Sequence, residues 1–431
     1  MTVSINGTTG LITAGSSSSG GGGIATNTAL GGDALVANTT GASNTAIGNE
    51  ALKTNTTASS NTAVGYQSAY ANTTGTKNTN IGVYAGYNIT TGSDNTFVGY
   101  GAGPNIGTAT GGSNTGVGKD TARNITTGQF NSALGTDALF SNTTASNNTA
   151  VGYQAGYSNT TASENTFLAK GAGYNNTTGN NNVFLGYHAG YFNTTGGANT
   201  YLGHASGPVT TAGATGSFNT VMGNTAGAKI TTASNVVAIG FEAGNSITTG
   251  DGNIFIGTTA GSTNTTGNTN VLIGRDVRAS AATNSGEIVI GNATGKGGST
   301  GFIYPNAGGV FQGNNSSTWS VTSDQRLKKN IVDNNDGLDI ISQIQVRNFE
   351  YRLPEEITEL PQSQAVEKTG VQIGVIAQEL QAICPDCVTE QTTGVLSVDS
   401  DEIFWHMVNA IKELNAKVEA QALEIATLKG N

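Results

Sequence analysis

The sequence predicts a mainly β protein: a trimeric β-solenoid or β-roll of 17-residue coils, followed by an α/β domain that ends in a long coiled-coil-like helix. Three observations lead to this fold class. A 17-residue motif recurs sixteen times, the chain is rich in glycine but poor in charge, and its composition changes near residue 320. We divide the chain into an N-terminal attachment or low-complexity segment (1–26), the repeats (27–291), a glycine-rich transition (292–322) and a C-terminal domain (323–431).

The repeat follows the pattern N-T-x-Φ-G-Y-x-A-G-x-x-N-T-T-G-x-x, where Φ is aliphatic, as in NTAVGYQSAYANTTGTK at 61–77. Such a unit is too short for two helices and too rich in Gly and Thr for one. It suits one solenoid coil, with a short strand at T-A-V-G, a second short segment and a turn at N-T-T-G.

Alternation along the strand places Thr62 and Val64 on one face and Ala63 and Gly65 on the other. We expect the aliphatic residues at the position of Val64 to stack from coil to coil. The repeat glycine recurs every 17 residues, except for intervals of 19 after Gly99 and 20 after Gly203, with Ala169 in one of its places. The glycines are Gly31, Gly48, Gly65, Gly82, Gly99, Gly118, Gly135, Gly152, Gly186, Gly203, Gly223, Gly240, Gly257, Gly274 and Gly291.

The composition indicates that such coils need support from one another. The chain has 63 Gly and only 6% aromatic and 11% charged residues, which fits neither a charged disordered chain nor a conventional large core. Ordering one coil costs more conformational entropy than its few small apolar groups offset. We therefore predict an obligate oligomer, a homotrimer, in which copies bury one another.

Several classes of function are disfavoured by what the sequence lacks. No run of about 18 apolar residues predicts a membrane span, and MTVSINGTTGLITAG lacks the basic and apolar regions of a secretory signal. No basic stripe indicates nucleic-acid binding. Two Cys and three His argue against a Cys/His zinc site within one chain, and we expect no metal and no cofactor.

The C-terminal part differs in charge and in pattern. Residues 1–316 contain 10 acidic and 9 basic residues, whereas residues 317–431 contain 18 and 9. The pattern around Leu338, Ile341 and Ile344 predicts a helix, followed by a strand at VRNFEYRL, and residues 370–388 predict a strand and a helix that ends at Pro385. The polar stretch LPQSQAVEKTG between them predicts an exposed loop.

The last segment predicts a long helix with a seam that other copies of the chain cover. Its seam residues are spaced alternately by three and four, and all but Gln421 are apolar, as in a coiled coil. The alternative is an amphipathic helix that packs on its own domain. The seam residues are Phe404, Met407, Ile411, Leu414, Val418, Gln421, Ile425 and Leu428.

Several motifs in the C-terminal domain resemble one known family. They are S-D-x-R-x-K-x-N-I at 323–331, G-V-I-A-Q-E-L at 374–380, V-D at 398–399 and a terminal A-I-K-E-L helix. Together, over about 317–431, they resemble the endosialidase-type intramolecular chaperone, an auto-cleaving serine peptidase domain at the C-terminus of phage tail fibres and tailspikes. The repeats resemble the β-roll heads of trimeric adhesins and the shafts of phage fibres in architecture.

The resemblance implies that the domain assists trimer folding and then cuts itself off. It implies a Ser–Lys dyad of Ser323 and Lys328, cleavage at Thr322–Ser323, and support from Asp324, Arg326, Gln378 and Glu379. A serine hydroxyl needs a base to take its proton, and a lysine serves when burial or nearby cations such as Arg326 and Lys329 favour its neutral form. Asp324 opposes this unless it pairs with Arg326. Because Ser and Lys five apart diverge on a helix, the segment must be a turn or loop.

The function predicted is therefore a tail fibre of a virion, made in the host cytoplasm, that attaches to a host receptor or glycan and contacts other tail proteins. Its only enzyme activity would act once, on its own chain. A bacterial trimeric adhesin with the same self-cleaving domain and an ice-binding Thr-rich solenoid are the alternatives. A glycan-degrading tailspike is disfavoured, because the repeats have no recurring pair of acidic residues.

Three further features have simple interpretations. The N-T-T steps, such as Asn72–Thr74, suit turns and ladders better than glycosylation or ice binding. His188 and His204 lie in adjacent repeats without an acidic companion and are expected at the surface. CPDC at 384–387 has the spacing of a redox motif, but Cys384 and Cys387 stand where apolar residues fit, and we expect small buried thiols.

Overall fold

The computed structural model describes residues 3–5, 12–14, 24, 26–210, 213–295, 301–304, 310–312, 323–360, 369–390 and 394–430. The chain divides into two compact units, Met1–Thr322 and Ser323–Asn431. The division falls at the bond for which cleavage is predicted. Within the described residues, no helix is both long and apolar enough to cross a membrane.

The first unit is a parallel β-solenoid, which confirms the predicted repeat architecture. Sixteen short strands, one for each predicted repeat, pair in parallel with the strands of the coils before and after, so that Thr62 lies beside Thr79 and Val64 beside Ile81. These strands are β3 to β18, with the bounds Thr28–Leu30, Thr45–Ile47, Thr62–Val64, Thr79–Ile81, Thr96–Val98, Thr115–Val117, Ser132–Leu134, Thr149–Val151, Thr166–Leu168, Val183–Leu185, Thr200–Leu202, Thr220–Met222, Val237–Ile239, Ile254–Ile256, Val271–Ile273 and Ile288–Gly291.

Short pairings precede and follow the sixteen strands in the chain. β1 (Val3–Ile5) and β2 (Ile12–Ala14) form an antiparallel pair. β19 (Gly301–Tyr304) continues the parallel stack beyond β18, and β20 (Val310–Gln312) pairs with β19 in the antiparallel sense.

The core of the solenoid lies on the face of the strand opposite the aliphatic ladder. The middle residue of each strand points inwards, from Ala63 in one coil to Phe184 and Tyr201 in others, and these side chains are fully buried. The aliphatic residues at the third position do stack in register, but they face outwards, and Leu134 is 50% exposed. The rest of each coil adds a small apolar residue or a branched aliphatic to this interior, such as Leu35, Ile89 or Leu139, whereas the third-position aliphatics remain outside.

Buried asparagines form two ladders that hold adjacent coils together. Asn61 Oδ1 accepts a hydrogen bond from the backbone N–H of Asn78, and Asn61 Nδ2 donates to the carbonyl of Gly75. At the N-T-T-G turn, Asn72 Nδ2 donates to Asn55 Oδ1 and to the carbonyl of Gly75. These amides satisfy backbone groups that the tight turns leave unpaired inside the coil.

The positions of the N-T-T side chains distinguish a role in turns and ladders from glycosylation. Asn72 is buried inside the coil, so its amide nitrogen is not accessible to a glycosylating enzyme. The hydroxyl of the first threonine, Thr73, donates to the carbonyl of Thr90 in the next coil at 3.1 Å. These side chains support turns and ladders, as the simplest interpretation of the sequence expects.

The glycine after each strand is required by its backbone angle. Gly65 has a φ of 135°, and a Cβ there would lie 2.4 Å from the carbonyl oxygen of Gly82. Ala169 occupies this place in one coil with a φ of 111°, in a region that L-residues rarely adopt. The strict recurrence of glycine therefore has a local steric cause.

The second unit contains the elements predicted for an α/β domain. α1 (Leu338–Ile341) precedes β21 (Arg347–Phe349), which pairs with β22 (Gln372–Gly374) in the antiparallel sense. α2 (Ala377–Ile383) leads through a 3₁₀ turn, Pro385–Cys387, into β23 (Val388–Glu390) and β24 (Leu396–Val398). The Pro-Glu-Glu segment at Pro354–Glu356 forms a further 3₁₀ turn. Most of the predicted loop between β21 and β22 lies outside the described residues.

The long helix α3 (Ser400–Lys429) confirms the helix predicted at the C-terminus. It packs on its own domain through a face that includes Ile403 and Ala410, near α1 and the segment before it. The predicted seam lies on a neighbouring face and stays exposed in the single chain, where Ile411 is 68% exposed. The helix thus uses one face within the domain and leaves the seam uncovered.

Candidate active site

A tight turn begins the second unit at the charge cluster singled out in the sequence. Gln325–Leu327 forms one turn of 3₁₀ helix, and Asp324 caps its start by accepting a hydrogen bond from the backbone N–H of Arg326 at 2.8 Å. The chain leaves the turn at Lys328 in an extended conformation. This is the kind of turn that a Ser and a Lys five residues apart need in order to meet.

The turn brings Ser323 and Lys328 together. Lys328 Nζ donates a hydrogen bond to Ser323 Oγ at 2.7 Å, within the distance over which a proton can be transferred between them. Both side chains are exposed in the single chain. The predicted nucleophile and the predicted base are therefore in contact, at the first residues of the unit.

Asp324 and Arg326 neutralise each other beside this pair. Arg326 Nη2 lies 2.6 Å from Asp324 Oδ2, and Arg326 Nε donates to Asp324 Oδ1 at 3.0 Å. These side-chain hydrogen bonds, with that from the Arg326 backbone, lower the pKa of Asp324. The Asp324 carboxylate is thus engaged away from Lys328, which is the condition that the sequence analysis set for it.

The structure does not bring the other predicted supporting residues to this pair. Gln378 and Glu379 lie in the first turn of α2, and within the described part of the chain no hydrogen bond joins either of them to Ser323 or Lys328. Glu379 instead forms a two-pronged ion pair with Arg347 of β21, at 3.0 and 3.1 Å. Arg347 was not anticipated from the sequence, because a cross-element partner has no local signal. Thr322, the other residue of the predicted cleavage bond, lies outside the described residues.

The CPDC motif departs from the expectation of free thiols. Cys384 and Cys387 are buried as predicted, but they are joined by a disulfide bond whose Cα atoms lie 5.3 Å apart. The bond closes the corner between α2 and β23 and lies in the small core of the second unit, with Leu380 and Val388. Spacing alone did not decide between free and bonded thiols; the 3₁₀ turn at Pro385 brings the two sulfurs together.

Comparison with known protein families gives one match in this unit. Residues 323–389 match the family described as the chaperone of endosialidase, a peptidase family, and the match begins at the serine of the Ser323–Lys328 pair. No solved structure matches the chain. The match supports a self-cleaving intramolecular chaperone domain, here attached to a β-solenoid of repeats.

Proposed function

We propose that this chain is the subunit of a trimeric tail fibre of a virion, and that its C-terminal domain assists trimer folding and then cleaves itself off at Thr322–Ser323. The observation that carries the proposal is the 2.7 Å contact between Lys328 Nζ and Ser323 Oγ. It lies at the boundary between the two units and at the first residue of the family match.

The cleavage is an acyl transfer followed by hydrolysis. Ser323 Oγ attacks the carbonyl carbon of Thr322 while Lys328 Nζ takes the hydroxyl proton. The C–N bond breaks as that proton passes to the Ser323 nitrogen, which leaves an ester between Thr322 and Ser323 Oγ. Water then hydrolyses the ester to give a new carboxyl terminus at Thr322 and a new amino terminus at Ser323.

Exposure of the pair in the single chain links the reaction to assembly. A base must be unprotonated to accept a proton, and an amine reaches that form more readily when it is removed from water. Packing of a second copy against the turn would desolvate the pair. Cleavage would then follow trimerisation and would leave unassembled chains intact.

Two apolar surfaces support the trimer. The outward aliphatic ladder of the solenoid includes Leu134 and Leu168, and the seam of α3 includes Ile411 and Leu414, all of them exposed. Rows of exposed aliphatic residues along a stack of coils or along a helix are surfaces that identical parallel copies can cover when they associate.

A cluster of aromatic and cationic side chains on the solenoid supports host attachment. Lys170 Nζ lies 5.8 Å from the ring centre of Tyr153 and 5.6 Å from that of Tyr187, and Tyr187 stacks on His204 at 5.0 Å. Tyr153 and Tyr187 are exposed. Aromatic rings beside hydrogen-bond donors suit sugar rings, so we propose this cluster as the contact for a host glycan. Tyr153 would stack on the sugar, because Tyr187 already stacks on His188 and His204.

Expression of the full chain tests the cleavage. A denaturing gel should show two fragments, and mass spectrometry should place the new amino terminus at Ser323. Ser323→Ala and Lys328→Ala should each leave the chain intact and trimeric, while Lys119→Ala, which changes an exposed lysine of the solenoid, should be cut normally. A Ser323→Ala chain still cut at the same bond would refute the dyad.

Light scattering tests the assembly and its link to cleavage. The uncut Ser323→Ala chain should have the mass of a trimer, and Leu414→Glu on the α3 seam should weaken association and, in the cleavable chain, slow cleavage. A monomeric wild-type chain would contradict the trimer. Cleavage of monomeric Leu414→Glu at the wild-type rate would show that the dyad acts without assembly.

A further inference from the structure

We propose that, when its disulfide is reduced, the second unit binds one zinc ion through Cys384, Cys387 and His406. Two Cys and three His in the whole chain predict no Cys/His zinc site. The structure brings both cysteines and one of these histidines to a single place.

The three side chains converge from separate elements. Cys384 follows the last residue of α2, Cys387 ends the 3₁₀ turn, and His406 lies in the second turn of α3. One ligand atom from each residue lies within 4.8 Å of the others. Two thiolates separated by two residues, with an imidazole from another element, are a ligand set that Zn²⁺ takes in tetrahedral sites.

The orientation of His406 provides independent support. Its Nδ1 lies 2.8 Å from the backbone carbonyl oxygen of Asp336. Because a carbonyl oxygen only accepts hydrogen bonds, Nδ1 carries the hydrogen, and Nε2 of the neutral ring keeps its lone pair. A metal-binding histidine usually donates its other ring N–H to a backbone carbonyl or a carboxylate in this way, which fixes the orientation of the ring.

Burial favours a metal site over a redox-active dithiol. Cys384 and Cys387 are 3% and 0% exposed, whereas reactive cysteines are partly accessible to their partners. They also follow the C-terminal end of α2, where the helix dipole does not favour a thiolate in the absence of a cation. A bound cation supplies the positive charge that two thiolates need.

The small hydrophobic core of the second unit is a further reason to expect a stabilising cross-link. Among its described residues the buried hydrophobic side chains are few, and two of them are the cysteines themselves; they are Leu380, Cys384, Cys387, Val388 and Ala410. Small cores of this kind are commonly stabilised by disulfides or structural metals. Zinc would tie α3 to the corner between α2 and β23, whereas the disulfide closes only the corner.

The disulfide and the metal exclude each other. A thiol or phosphine reductant supplies two electrons, and with two protons the S–S bond becomes two thiols. Zinc binding then displaces both thiol protons, and His406 Nε2 donates its lone pair without losing a proton. Water completes the tetrahedron as the fourth ligand.

Metal titration of the full chain tests the site. The Ser323→Ala chain, without an affinity tag and reduced with a phosphine, should bind one Zn²⁺ per chain in competition with a chromophoric chelator. With Co²⁺ it should show thiolate-to-cobalt charge transfer and the d–d bands of a tetrahedral ion. The oxidised chain should bind neither ion.

Matched variants test whether His406 and Cys384 bind the metal ion. His406→Ala should weaken binding at least about tenfold and change the Co²⁺ spectrum, whereas His204→Ala, an exposed histidine of the solenoid, should leave both unchanged. Cys384→Ser should lose the charge-transfer band. If circular dichroism shows that Cys384→Ser does not fold, the role of the thiolates is tested by comparing metal binding to the reduced and to the oxidised Ser323→Ala chain.

Two results would overturn the proposal. One is a reduced chain that takes up no stoichiometric Zn²⁺ or Co²⁺. The other is a His406→Ala chain that binds as tightly and with the same spectrum as its parent, which would mean that the cysteines act without this histidine.

Discussion

Ala169 offers a direct test of the steric rule that governs the solenoid. It is the alanine among the recurring glycines, with a φ of 111°, whereas Gly152 and Gly186 in the adjacent coils have φ values of 135° and 138°. At those glycines a Cβ would meet the backbone of the next coil, at 2.6 Å from the carbonyl carbon of Ala169 and 2.2 Å from the carbonyl oxygen of Gly203. We therefore expect Ala169→Gly to stabilise the protein.

The magnitude follows from two opposing terms. Relief of a strained backbone conformation contributes about 1–3 kcal/mol, and the greater freedom of glycine in the unfolded chain takes back about 0.4–1 kcal/mol. The net gain is about 0.5–2 kcal/mol. Because solenoid coils interact mainly with their neighbours, much of this gain should appear as local stability around β11.

The assay combines thermal unfolding by circular dichroism with hydrogen exchange of the amides near residue 169. The midpoint should rise by about 2–4 °C per kcal/mol, and exchange should slow in the adjacent coils. Ala71→Gly is the matched control, because Ala71 lies outside the set of residues with positive φ and should lose about 0.4–1 kcal/mol. If Ala169→Gly lowers stability as much as Ala71→Gly, strain at this position is not the reason for the recurring glycine.

Three other substitutions test the interior and the surface. Asn55→Ala removes the hydrogen bonds from Asn55 Nδ2 to Asn38 Oδ1 and to the carbonyl of Ala58. The free energy of unfolding, measured by chemical denaturation, should fall by about 2–4 kcal/mol. Thr57→Ala, at an exposed position, is the control and should change it little. Tyr201→Phe should leave stability unchanged or raise it by about 1 kcal/mol, because the buried hydroxyl has no hydrogen-bond partner among the described residues; a large loss would reveal one. Burial of the imidazole ring, followed by the positive charge of Lys170, lowers the pKa of His188. The unfolded chain therefore takes up this proton at a higher pH than the folded one, and stability should fall as the pH drops below about 6.5. His188→Gln should reduce that slope, and an unchanged slope would contradict the assignment.

Much of the fold can be predicted from the sequence because its information is local and repeated. A coil recurring every 17 residues places equivalent residues side by side, so the period predicts the number of strands and their register. The composition change near residue 320 predicts a second domain, and the spacing along the last thirty residues predicts α3. These inferences need only the periodicities of strand and helix.

The inside of the solenoid could not be predicted in the same way. Alternation separates Ala63 from Val64, but it does not say which face the coil closes upon. That choice depends on the space enclosed by one coil, which accommodates alanine in some coils, Val or Leu in others, and stacked aromatic rings such as Phe184 and Tyr201 at a ring distance of 4.8 Å. The aliphatic residues at the third position are left outside, where the trimer proposal needs them.

The two proposed sites also differ in how far the sequence predicts them. Ser323 and Lys328 were predicted from a resemblance, and their contact depends on a local turn capped by Asp324, which the residues in between already encode. The meeting of His406 with Cys384 and Cys387 has no local signal, because the histidine is held by a carbonyl 70 residues earlier in the chain. Repetition and short turns are determined by neighbouring residues, whereas this cluster exists only after α3 has packed on the rest of its domain.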